Sequence, residues 1–142
     1  MMNEGEKKVP EGLRAALNNC NRFQDIVAGN FKEGRTGNEV LAVSLAEAER
    51  QSVKAMLYTH PIGFHGHGAG PIIGLWDNQG VIPVRGDYPL YFDTCYALEL
   101  NAATEVPEWN GQEVVIYLEE TVSFTKEGVS YLRERQTDFI TI

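Results

Sequence analysis

The chain changes its hydrophobic period once, and that change restricts it to one class of fold. From Pro10 the apolar residues Leu13, Ala16, Leu17, Cys20, Phe23 and Val27 recur at steps of three and four, with Arg14, Asn18, Asn21 and Asp25 on the other side. The spacing predicts an amphipathic helix opened by Pro10 and stopped by Gly29-Asn30. Thr36-Gly37-Asn38-Glu39 reads as a capping box, in which the Thr hydroxyl and the Glu carboxylate each satisfy an orphan backbone N–H. Behind it Val40, Leu41, Leu45 and Ala48 carry a second helix to the neighbourhood of Gln51.

After residue 90 the period is two. Tyr91 to Leu100 sets Phe92, Thr94, Tyr96, Leu98 and Leu100 on one face and Asp93, Cys95, Ala97 and Glu99 on the other. Glu113 to Thr125 alternates again, with Val114, Ile116, Leu118, Val122 and Phe124 apolar, Glu120 among them, and Tyr117, Glu119, Thr121 and Ser123 on a polar face. Val106 to Gly111 is a turn-rich connection, and Thr125-Lys126-Glu127-Gly128 is a hairpin turn leading into Val129 to Leu132. Phe139 to Ile142 reads as a closing strand, and Met56 to His60 as a short one. Helices followed by antiparallel strands define an α+β fold, two N-terminal helices on a mostly antiparallel sheet.

A chain of 142 residues is one domain's worth, here a frayed polar tail over 1–8 and a single domain over 9–142. Twelve Lys and Arg against 20 Asp and Glu give a formal charge of −8. Such a surface repels phosphate backbones, and no basic stripe offsets it, so nucleic acid is not expected as a partner. No apolar run approaches the roughly 18 residues of a membrane span, so no membrane association is expected either. The first residues lack the apolar core of a secretory signal, which gives a cytoplasmic expectation for this chain and leaves export of a longer parent open. Cys20 and Cys95 form no Cys-x-x-Cys pair and are expected as buried small hydrophobes.

Residues 61–90 hold four of the six prolines and seven glycines, an irregular segment whose Ile72, Ile73, Leu75, Trp76, Val81 and Ile82 argue for order. At its start lie all three histidines, His60, His65 and His67, separated by glycines that let a backbone bring imidazoles close to an ion or a substrate. One imidazole from this loop, with Glu99 and Glu119 from the two polar strand faces, would give a His-plus-two-carboxylate set. That set suits a hydrolytic metal centre, in which an ion lowers the pKa of water and polarises a carbonyl. The hard carboxylates favour manganese, zinc, cobalt or iron without choosing among them. Trp76, Trp109 and Tyr96 are core or rim aromatics that could also line a pocket.

Five segments, in this order, resemble the C-terminal half of the creatinase/aminopeptidase metallopeptidases, the pita-bread family of Xaa-Pro aminopeptidases, prolidases, methionine aminopeptidases and creatinase. Gly-Arg-Thr-Gly-Asn-Glu-Val over 34–40 resembles its helix entry, and Gly66-His67-Gly68-Ala69-Gly70 its metal-histidine loop. Tyr96-Ala97-Leu98-Glu99 resembles the strand of its first ligand Glu, Leu118-Glu119-Glu120-Thr121-Val122 its Ile-Glu-Asp-x-Val strand, and Thr125 to Gly128 the hairpin behind it. The resemblance implies a curved sheet with His67, Glu99 and Glu119 as metal ligands, Glu119 bridging two divalent ions. His65 is the alternative ligand. His60 or His65 would lie by the scissile carbonyl, Asp77 would stand where the family places a further substrate contact, and Glu99 would shuttle a proton to the leaving amine. The implied activity is metal-dependent exopeptidase action on a peptide substrate, of the Xaa-Pro aminopeptidase or prolidase kind. Two further Asp of the family's centre are not carried by this chain, and Leu100 follows Glu99 where Pro is common. The alternative is a non-catalytic pita-bread module for peptide or protein binding. In either case uncovered sheet edge and apolar surface predict a homo-oligomer.

Overall fold

A computed structural model describes residues 8–140. The expected frayed tail, apart from Lys8, lies outside them. Helix α1 spans Glu11–Asn30 and α2 spans Gly37–Arg50. Both parts of the predicted capping box form: the Thr36 hydroxyl accepts from the Glu39 N–H, and the Glu39 carboxylate accepts from the Thr36 N–H. No side chain of its own caps α1. Instead Glu108, 96 residues on, accepts a 3.1 Å bond from the Gly12 N–H, placing a carboxylate at the positive end of the helix dipole. A Cβ on residue 12 would overlap that carboxylate, which is why glycine stands there.

The strands are β1 (Lys54–Leu57), β2 (His60–Pro61), β3 (Thr94–Val106), β4 (Gln112–Thr125) and β5 (Gly128–Tyr131). They form one antiparallel sheet in the order β1-β3-β4-β5, with β2 also on β3. The helices cover one face, α1 across β3 and β4 and α2 beside α1 and β1. Between the layers lie Leu17, Phe23 and Val27 from α1, Val40 and Leu41 from α2, and Leu57, Tyr96, Leu98, Leu100, Val122 and Phe124 from the sheet. Phe31 sets its ring edge-on to both Tyr96 and Phe124 at 5.1 and 5.7 Å between centroids. Burial on this scale is the main stabilising contribution to the domain.

Several sequence-based boundaries move. The strand expected over Tyr91 to Leu100 begins later, at Thr94, because Asp93 adopts a left-handed backbone (φ 61°), and runs on to Val106, where Ala102 and Val106 are fully buried. Small and polar residues at 101–105 hide that extension. The strand expected from Met56 to His60 is two, broken where Thr59 exchanges backbone bonds with Ile73 at 3.0 and 2.9 Å. Phe139 and Ile140 are not in a strand, and the rest of the expected closing strand lies outside the described residues. The segment before them runs instead along α1, held by Arg135 on Asp25 (2.5 Å), the Gln136 carbonyl on Asn21 (3.0 Å) and Asp138 on Arg14 (2.5 Å), with Phe139 packed into the core. Cys20 is buried as expected, while Cys95 is half-buried on the other sheet face, and both are free thiols.

Candidate functional site

The site lies on the sheet face away from the helices. Burying Tyr96, Leu98 and Leu100 against α1 forces Cys95, Ala97, Glu99 and Asn101 to the opposite face, since strand side chains alternate. The β3–β4 register brings Glu99 directly opposite Glu119, Asn101 opposite Tyr117 and Ala97 opposite Thr121. On β3 the carbonyls of Cys95 and Glu99 accept bonds from Ile62 and Tyr58, so its odd residues turn their backbone groups toward β1 and β2. Glu99 and Glu119 are therefore a non-hydrogen-bonded pair of the antiparallel ladder, the kind in which side chains approach more closely.

His60 comes to the same face because β2 pairs it with Ala97. Its Nε2 lies 2.8 Å from Glu99 Oε1, and its Nδ1 lies 3.0 Å from the Pro61 carbonyl oxygen. Both ring nitrogens therefore face oxygen atoms, which fixes the orientation of the imidazole. Both side chains are largely shielded, at 13% and 27% exposure. His67 stacks on His60 with ring centroids 4.2 Å apart and planes 12° from parallel. The loop returns it there by closing on itself: Gly68 donates to the Pro61 carbonyl at 2.8 Å and Gly66 to that of Gly63 at 3.0 Å. At Gly63 and Gly68 a Cβ would strike the backbone of the opposite arm.

The other expected residues fall outside this cluster. His65 is exposed, its ring edge-on to Phe64. Asp77 is exposed on the Leu75–Asn78 turn and makes no hydrogen bond or ion pair among the described residues. Gln79 ties that turn to β1, its amide bonding both backbone groups of Leu57 at 2.9 Å. Tyr96 is a core residue and Trp76 an exposed one.

Sequence reasoning did not single out Tyr58 and Asn101. They share the face: the Tyr58 hydroxyl is bonded to the Asn101 side chain, and burial, with the nearby Glu99 charge, pushes its pKa up. For Asn101 the signal was present in the parity of the strand, since it follows Glu99 by two.

An imidazole and two facing carboxylates are suitable donors for a hard divalent ion. Among the described residues, however, no three His, Cys, Asp or Glu side chains converge as a ligand set. His67 lies against the His60 ring, and one Glu99 oxygen is occupied by His60. As arranged, these residues do not fit a metal ion by themselves. What they provide is a half-buried His60–Glu99 hydrogen-bonded pair next to a second carboxylate.

No protein-family model matches the chain, and no curated protein matches it significantly. Solved structures do. The X-Pro aminopeptidase of Thermotoga maritima superposes over 92% of this chain and 34% of its own (TM-score 0.64, 18% identity). The dipeptidase PepE of Mycobacterium ulcerans matches over 94% and 32% (0.59, 18%), and the methionine aminopeptidase of Rickettsia prowazekii over 87% and 53% (0.60, 14%). The chain thus has the pita-bread fold of these enzymes and spans about a third to a half of their length.

Proposed function

We propose that the polar face of β3 and β4 handles the free N-terminal end of a peptide, and that the chain belongs to a hydrolase of the Xaa-Pro aminopeptidase or prolidase kind. The observation that carries this reading is the facing Glu99–Glu119 pair with His60 on Glu99. A terminal ammonium is the part of a peptide that two facing carboxylates complement. In hydrolysis of the adjacent bond, water adds to the carbonyl and the leaving amine must gain a proton. The hydrogen-bonded His60–Glu99 pair is the group on this face suited to deliver it as a general acid.

The family's activity depends on divalent metal, and a complete centre would need carboxylates beyond those that converge here, so no step is assigned to an ion. That same failure to converge favours a second reading, a module that binds peptides without cleaving them. Both are tested by titrating the chain with an Xaa-Pro peptide in the presence of diamagnetic zinc, following the His60 and His67 ring resonances and the release of the N-terminal residue. Saturable perturbation that Glu119→Gln weakens supports the peptide site. Release lost in Glu99→Gln supports the hydrolase, and binding without release supports the module. Ring resonances indifferent to the peptide would overturn both.

A further inference from the structure

We propose that Asn110 is a modification site, where the chain rearranges spontaneously by attack of the Gly111 backbone nitrogen on the Asn110 carboxamide, and that one product releases the cap of α1. The pair lies in the connection between β3 and β4. A 3-10 turn over Pro107–Trp109 ends on Asn110 at φ 56° and ψ 34°, and Gly111 follows at φ 77°. The turn closes with bonds from the Asn110 N–H to the Pro107 carbonyl and from the Gly111 N–H to that of Val106, both 3.1 Å. Asparagine and glycine are the residue types that tolerate consecutive left-handed positions. The fold of the turn thus calls for the one dipeptide in which a carboxamide precedes an unhindered backbone nitrogen.

The structure singles out this asparagine. Asn110 and Gly111 are both exposed, and the Asn110 carboxamide makes no hydrogen bond among the described residues. A Cβ on Gly111 would meet nothing within 4 Å, so a cyclic imide has room to form there. Asn19, Asn21, Asn30, Asn38 and Asn78 engage their carboxamides in hydrogen bonds, and Asn101 is buried with its side chain on Tyr58. Asn18 is exposed, but it lies within α1, where the next N–H belongs to the helix ladder. One bond, from the Gly111 N–H to Val106, guards the nucleophile, and opening an exposed turn needs little free energy.

In the step itself the Gly111 nitrogen gives up its proton to base and forms a bond to Asn110 Cγ. The Cγ–Nδ2 bond breaks, and Nδ2 leaves as ammonia with a proton from water. Water then opens the imide, and nothing is oxidised or reduced. Cleavage between the Gly111 nitrogen and Cγ gives aspartate. Cleavage between that nitrogen and the backbone carbonyl carbon of residue 110 gives isoaspartate, with one extra carbon in the main chain. Either product adds a negative charge to a chain of formal charge −8. They differ in backbone. Glu108, two residues earlier, accepts the 3.1 Å bond from the Gly12 N–H, and it is held there by the turn that the extra carbon distorts. Isoaspartate should therefore release this cap, while aspartate keeps it. This inference does not rest on the peptide site.

The test is peptide mapping by mass spectrometry of the whole chain aged at mildly alkaline pH, with isoaspartate scored by enzymatic methylation, beside Asn110→Gln and a sample held unfolded in urea. The expected result is conversion at Asn110 about tenfold faster than at Asn18 or Asn78, because its neighbour is glycine. Conversion should be faster still in urea and absent at this position in Asn110→Gln. Hydrogen exchange at the Gly12 amide should quicken in the isoaspartate fraction and stay unchanged in Asn110→Asp, which carries the charge without the extra carbon. Asn110 unchanged in the folded chain after the urea sample has converted would mean that the Val106 bond stays closed, and would overturn the proposal. Conversion led by Asn18 or Asn78, or a Gly12 amide indifferent to isoaspartate, would overturn it as well.

Discussion

Glu99 and Glu119 stand directly opposite each other across the β3–β4 ladder, two carboxylates where a sheet optimised for stability would set opposite charges or apolar groups. Glu119→Gln should therefore stabilise the chain, by roughly 0.2–1 kcal/mol at low ionic strength and less as salt screens the pair. Urea unfolding at two salt concentrations measures it. A loss of stability would mean that the two groups do not repel, and that the pair is not held at a cost for the sake of a ligand.

His60 and Glu99 are coupled through the 2.8 Å contact in a half-buried position. Removing either partner strands the other, so His60→Ala and Glu99→Gln should each cost about 1–3 kcal/mol. The double variant should lose less than the sum, with a coupling of about 1 kcal/mol in a double-mutant cycle. Strict additivity would show that the contact does not form in solution.

Cys20 carries a pH dependence of defined sign. Burial against β3 and β4 pushes its thiol from 9.0 up to about 12, partly offset by a backbone bond from Ala102. Below the unfolded value both states keep the proton and the stability is fully present. Between it and about 12 the unfolded chain releases a proton that the folded chain retains, so stability falls by ~1.4 kcal/mol per pH unit. Unfolding curves from pH 8 to 11 should show this slope, and Cys20→Ala should remove its contribution. An unchanged slope in the variant would assign the effect to other groups.

Gly74 sits at φ +76° with its α-carbon against the Leu57 carbonyl, where a Cβ would overlap backbone. Gly74→Ala should destabilise by more than the ~1 kcal/mol typical of glycine replacements at positive φ. Because the neighbouring Ile73–Thr59 bonds fix the break between β1 and β2, the substitution should also broaden the His60 ring resonance. A stable variant with an unchanged His60 signal would show that the loop does not depend on this approach.

The parts of the fold legible in the sequence were those written in local periodicity and capping. α1, α2, the Thr36–Glu39 box and the hairpin at Thr125–Gly128 all appear where those signals place them. The polar face was legible as well, because parity alone separates Glu99 and Glu119 from Leu98 and Leu118. What escaped were features set by tertiary contact. The β3 extension to Val106 runs through Asn101, Ala102, Ala103 and Glu105, residue types of weak strand preference, and the Glu108 cap on α1 joins residues 96 apart. Which histidine reaches Glu99 depends on how the glycine loop closes, and no spacing rule states that His60 bonds while His67 stacks. Asp77 could be placed on a turn, but not the direction that turn would take.

Strand β3 has one consequence for how such a chain could change over generations. Its alternate residues are the centre of the core and the floor of the polar face, so the pairing that buries Leu98 and Leu100 is the same pairing that presents Glu99 to Glu119. A slip of either strand by one residue would turn its own carboxylate inward and its core residues to solvent, and unfold the domain. Folding thus proofreads the site: any descendant sequence that still folds this way inherits the geometry intact, whichever side chains it keeps there.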